Sequence, residues 1–152
     1  MKGVMIAGSV LFGSVLLGSV STQAGEAGSA IPQMLEKYKK EGASHFSAEA
    51  GKKMWSSIKP FTDKDGVLHK DRSCVTCHGT DLTKPGTHKK TGKIIAPMAP
   101  SVPFVKVDEK DIPRFSKAKK IKKWFKRNCK WTYGRECTAQ EKGDFLTYLK
   151  DL

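Results

Sequence analysis

The hexapeptide CVTCHG, Cys74 to Gly79, decides how the whole chain is read. Two cysteines separated by two residues and followed at once by a histidine are what covalent attachment of a c-type haem requires, because both thiols must reach the two vinyl groups of one porphyrin. Cys74 and Cys77 would form the thioethers. On a turn of helix His78 projects onto the same porphyrin face, where its imidazole can bind the iron as proximal ligand. Gly79 leaves room for the macrocycle. Two blander chemistries use similar spacing and lack support elsewhere. A thioredoxin-like motif belongs at a strand-to-helix turn, and no βαβ pattern surrounds this one. A zinc site needs four ligands at suitable spacings, whereas the other cysteines, Cys129 and Cys137, flank a polar stretch of their own.

On the N-terminal side, residues 1–24 read as a secretory signal peptide. Lys2 supplies the positive start, Val4 to Val20 is apolar and loosened by glycines, and Thr22-Gln23-Ala24 is a small-residue cleavage site. The apolar stretch falls short of the about 20 residues that a spanning helix wants. Cleavage after Ala24 is therefore expected, with membrane contact only through an uncleaved signal. Bacterial c-type attachment occurs outside the inner membrane, so a periplasmic location suits the motif and also permits a disulfide. Residues 25–30 are small and suggest a flexible arm. Residues 31–152 then form one domain, large enough for a small core around a prosthetic group. Lys and Arg number 28 against 15 Asp and Glu, a formal net charge of +13. Such a charge suits nucleic acid, an acidic membrane surface or an acidic protein. Export removes nucleic acid.

The pattern predicts a short helix over Pro32 to Lys40 with Met34, Leu35 and Tyr38 on one side. A second follows the N-cap Ser47, carries Gly51, Met54, Trp55 and Ile58 on one face, and stops at Lys59-Pro60. Phe61 to Arg72 and Asp81 to Lys93 read as loops. Ile94 to Phe104, with three prolines, is extended. Ser116 caps a third helix to about Lys126 with Ile121, Trp124 and Phe125 inward and six lysines around the rest. Arg127 to Cys137 reads as a loop. Thr138 and Glu141 make a capping box for a last helix whose apolar set is Phe145, Leu146, Tyr148, Leu149 and Leu152. No strand is predicted.

Gly51 with Trp55, and FLTYL from Phe145 to Leu149, resemble the helix crossing of class I cytochromes c, which implies a mainly α fold of about four helices around one covalently bound haem c. SCVTCHGTDLT, TGKIIAPMAPS, KKWFKRNC and GRECTAQEKGDFLTYL, several separated motifs in order, resemble more closely the sphaeroides heme protein (SHP) family of monohaem cytochromes. The resemblance implies that Asn128 is the distal haem ligand and that Cys129 and Cys137 form a disulfide. It also implies a small diatomic ligand and a redox partner that is a dihaem cytochrome c, which the charge suggests is acidic.

Four side chains compete for the iron face opposite His78: Met98, Asn128, His88 and Met54. Methionine is the usual sixth ligand of electron carriers, but Met98 lies before the third helix, whereas a class I chain reaches the distal face after it. Met54 belongs to the helix crossing, and His88, His45 and His69 read as solvated. The expectation is an exported electron-transfer cytochrome whose redox-labile Asn128 lets O2, NO or CO reach ferrous iron. The alternatives are a plain carrier with Met98 bound in both oxidation states, and a small haem enzyme reducing oxygen or a nitrogen oxide. No motif places an acid and base pair over the haem, so no catalytic residue is assigned.

Overall fold

In the computed structural model, which describes residues 29–102, 104–107 and 110–152, helix α2 (Ala48–Ser56) crosses helix α5 (Ala139–Lys150) at Gly51. A Cβ on Gly51 would lie 2.2 Å from the Asp144 carbonyl oxygen, so only glycine permits the two backbones to approach this closely. One turn on, the Trp55 and Phe145 rings stack with centroids 5.3 Å apart and planes 6° from parallel. Both helix starts are fixed locally. The Ser47 hydroxyl accepts from Ala50 N–H, and Thr138 and Glu141 form a reciprocal capping box. Asp144, buried at the crossing, accepts hydrogen bonds from the Ser47 N–H at 2.8 Å and Gln140 Nε2 at 2.8 Å. A buried carboxylate is tolerable there because both donors meet it.

Helix α1 (Ile31–Lys40) packs its buried Ile31, Met34 and Tyr38 against α5 and α4 (Ala118–Tyr133). Tyr38 meets Phe125 edge-on at 6.4 Å. Between α2 and α4 runs irregular chain with the one-turn α3 (Val75–His78) and three antiparallel two-stranded pairs. These pairs are β1 (Phe61–Thr62) with β2 (Leu68–His69), β3 (Gly86–Thr87) with β4 (Ile94–Ile95), and β5 (Phe104–Val107) with β6 (Lys110–Pro113). Among the described residues, five helices and little strand make the class mainly α, as expected, although the short hairpins are not predicted by the sequence. Four of the six strands have two residues, too few for a period-2 pattern to register.

Several local expectations are corrected. The third helix runs on to Tyr133, so Arg127 to Tyr133 is not loop; Gly134 ends it in a left-handed conformation (φ 68°). Burial of Cys129, Thr132 and Tyr133 in line with Ile121 outweighs the weak helix preference of this segment. Ser116 is not the cap: Lys117 holds that position, and the Ser116 hydroxyl donates to the Pro113 carbonyl. Helix α2 stops at Ser56, leaving Ile58 exposed, and Leu152 is exposed as well. The signal peptide and residues 25–28 lie outside the described residues. Ala30, expected in the arm, is buried, and its N–H donates to Phe115 O at 2.7 Å. Among the described residues no helix is long and apolar enough to cross a membrane.

Candidate haem site

Helix α3 holds the motif, and the crossing helices hold α3. Trp55 Nε1 donates to the Gly79 carbonyl at 3.0 Å, and the Trp55 ring lies 5.3 Å from the His78 ring. Gly79 ends α3 with φ 74°, a conformation costly for any other residue. The glycine is thus required by its backbone, a reason the sequence reading did not give. Cys74 and Cys77 carry free thiols. Burial pushes the Cys74 thiol up to about 11 despite the nearby Tyr133 hydroxyl, so it stays protonated at neutral pH. Tyr133 in turn donates to the Met54 carbonyl at 2.8 Å, which ties the end of α4 to α2 beside Cys74.

His78 is half-buried and its Nδ1 is buried without a hydrogen-bond partner. Burial first, and the Arg114 cation second, push its imidazole down to about 4. At neutral pH it is therefore neutral, the form that can give a lone pair to a metal. Two half-buried thiols and a neutral, under-bonded imidazole on one helical turn fit the attachment of a haem. They do not fit zinc, since the described residues contain no cluster of three or more His, Cys, Asp or Glu side chains.

The rival distal ligands are sorted by what they already touch. Met98 N–H and Ala99 N–H both donate to the Leu82 carbonyl, at 2.8 and 2.9 Å. Met98 is thereby pinned to the segment just after His78, and its Sδ accepts from the Arg114 guanidinium at 3.3 Å. Asn128 sits on α4, exposed, between Trp124 (52% exposed) one turn before it and Trp131 (36%) one turn after. Trp124 was expected inside and is not. Cys129, the next residue, faces the other way and is joined to Cys137, with Cα atoms 5.6 Å apart. His88 is exposed, with Nδ1 accepting from Thr91 N–H, and His45 is exposed too. His69 is not simply solvated: its Nε2 lies 2.7 Å from Asp63 Oδ2.

Three arginines were missed by the sequence reading. Arg72, two residues before Cys74, stacks on the Trp131 ring at 4.7 Å and donates to the Trp131 carbonyl at 3.1 Å. Arg135 bonds Glu141 through two nitrogens. Arg114 reaches inward to Met98. An isolated arginine in a basic chain carries no sequence signal of this kind.

A one-turn CxxCH helix held by a glycine-centred helix crossing defines a c-type cytochrome with one haem c. A family model described as a domain of unknown function, DUF1924, matches residues 41–149. The cytochrome c-type protein SHP of Cereibacter sphaeroides is 36% identical over 124 residues, which cover 81% of this chain and 85% of that protein. The structure of oxidised SHP, described as an oxygen-binding cytochrome c, superposes with a TM-score of 0.64 at 34% identity and covers 82% of this chain and 98% of that one. The solution structure of cytochrome c'' from Methylophilus methylotrophus, a study of haem-ligand detachment, gives 0.57 at 26% identity over 78% and 90%. The chain belongs to the sphaeroides heme protein family of cytochromes c.

Proposed function

We propose that this cytochrome is an exported electron-transfer and gas-binding protein in which Cys74 and Cys77 hold the haem, His78 is the proximal ligand and Asn128 is a distal ligand released on reduction. The bound haem supplies a redox-active iron with one position that a weak ligand can vacate. Asn128 is suited to that position: its neutral amide is a hard, weak donor, better matched to ferric than to the softer ferrous iron. With the haem bound, reduction would loosen this weak donor and leave room for O2, NO or CO. The carrying observation is the contrast between the two rival side chains. Asn128 stands on an open helical face between two exposed tryptophans, while Met98 is bonded through its backbone to Leu82 and through its sulfur to Arg114. The relatives point the same way, one described as oxygen-binding and one studied for ligand detachment.

The Cys129–Cys137 disulfide ties α4, one turn before its end, to the residue just ahead of the α5 cap. It keeps Asn128 close to its place after release, so that the amide rebinds on oxidation. The test is Asn128→Ala. The variant keeps its haem, its ferric form binds added ligands that the parent resists, and its ferrous affinity changes less. A ferric spectrum and ligand affinity equal to the parent's would remove Asn128 from the iron and leave Met98 as the residue to mutate. A haem enzyme reducing oxygen or a nitrogen oxide remains a separate reading, tested by turnover with a reductant.

A further inference from the structure

Among the residues whose side chains are described, Arg114 is a half-buried cation without an anion. Its guanidinium is half-buried, its Nε is buried and has no hydrogen-bond partner, and its one polar contact among the described residues is the thioether sulfur of Met98 at 3.3 Å. A thioether is a weak acceptor, and a charge removed from water needs a full partner. Among the residues whose side chains are described no carboxylate supplies one, and every ion pair those side chains form lies elsewhere. The backbone holds the arginine in this position. Phe115, the next residue, is the only non-glycine among the described residues with positive φ (51°). Its carbonyl is fixed by Ala30 N–H at 2.7 Å, and its ring lies 5.2 Å from the Arg114 guanidinium carbon. Strained conformations of this kind persist where surrounding structure over-determines them, and they gather at binding sites.

Arg114 is also held beside the haem motif, because Met98, the residue it contacts, is bonded through its backbone to Leu82, four residues after His78. An anion that reaches this cation therefore arrives at the proximal edge of the haem site. Haem itself carries two carboxylates, and a guanidinium presents two parallel N–H donors that match a carboxylate. We propose that Arg114 binds a haem propionate, anchoring the porphyrin edge remote from the thioethers and favouring the ferrous state. The inference rests on haem attachment at the CxxCH motif, and it is independent of which residue is the distal ligand. The cation acts on potential by simple electrostatics. Reduction adds one negative charge to the haem, and a nearby positive charge in a low-dielectric site stabilises it.

The experiment compares parent, Arg114→Gln and Arg114→Lys holoproteins. Covalent haem, measured after denaturation, separates failure of attachment from failure of this proposal. With attachment intact, the reduction potential falls in R114Q and is largely restored in R114K, and the propionate bending band in the resonance Raman spectrum shifts in both. A potential and a propionate band in R114Q equal to the parent's would overturn the proposal. Should R114Q fail to accumulate, a crystal structure of the parent holoprotein decides. A guanidinium within hydrogen-bond distance of a propionate oxygen supports the assignment, and one bonded only to protein groups refutes it.

Discussion

Asn128 and Met98 are both neutral side chains able to bind iron, and what separates them is the set of bonds each already makes. Methionine is fixed at backbone and sulfur, and asparagine is exposed on a helix surface. The motif residues were legible because haem attachment dictates both residue types and spacing, and a helical turn brings them onto one side. Arg114 was not legible, since its role depends on a backbone strain at Phe115 that no local pattern encodes. Glu141 was half legible. The capping box was readable, but the same carboxylate also receives two bonds from Arg135, at 2.7 and 2.6 Å, and one from Lys59 at 3.0 Å. These bonds, Arg135 foremost, hold its carboxyl down at about 2. A depressed carboxylate contributes stability above its unfolded value of 4.5 and loses it as pH falls through about 2. Glu141→Gln should therefore cost about 1–2 kcal/mol at neutral pH, after discounting for partial exposure. In denaturant melts the gap between variant and parent should close as the pH is lowered from 4.5 toward 2; a gap independent of pH would mean that packing, not charge, is lost.

Among the elements, the crossing of α2 and α5 sets the position of α3, because Trp55 stacks on Phe145 on one side and bonds the Gly79 carbonyl on the other. Gly51→Ala places a methyl against backbone that cannot rotate away. Overpacking of this kind should destabilise the holoprotein by about 3 kcal/mol and loosen His78 with it. Thermal unfolding followed by far-ultraviolet circular dichroism measures the loss, and an unchanged midpoint would show that the helices can separate without cost. The crossing and the capped helices were readable because glycine, aromatics and caps recur at helical spacing. The length of α4 was not. Positions 121, 125, 129 and 133 lie one turn apart and run down one side, yet Arg127 to Cys137 looks loop-like because two cysteines and a glycine fall within it. The side that Trp124, Asn128 and Trp131 share was missed for the same reason, since ending the helix at Lys126 conceals that spacing.

At the scale of the whole molecule, a net charge of +13 is unevenly placed. Lys119, Lys120, Lys122, Lys123 and Lys126 are all exposed on α4, the helix that carries Asn128, and none forms an ion pair with a described residue. We propose that this surface steers an acidic redox partner, such as a dihaem cytochrome c, toward the haem. Electron exchange with such a partner should slow as ionic strength rises; a rate indifferent to salt would reduce the lysines to a solvated face. Export to the periplasm belongs to the same reading, since covalent haem attachment and an oxidised Cys129–Cys137 pair both suit that compartment.

The central claim is that the distal ligand changes with oxidation state, and magnetic resonance of the holoprotein in both states tests it most directly. The account predicts the Asn128 side-chain amide bound to ferric iron, and a five-coordinate, high-spin ferrous iron with that amide free. A Met98 methyl group bound to low-spin iron in both states would contradict it.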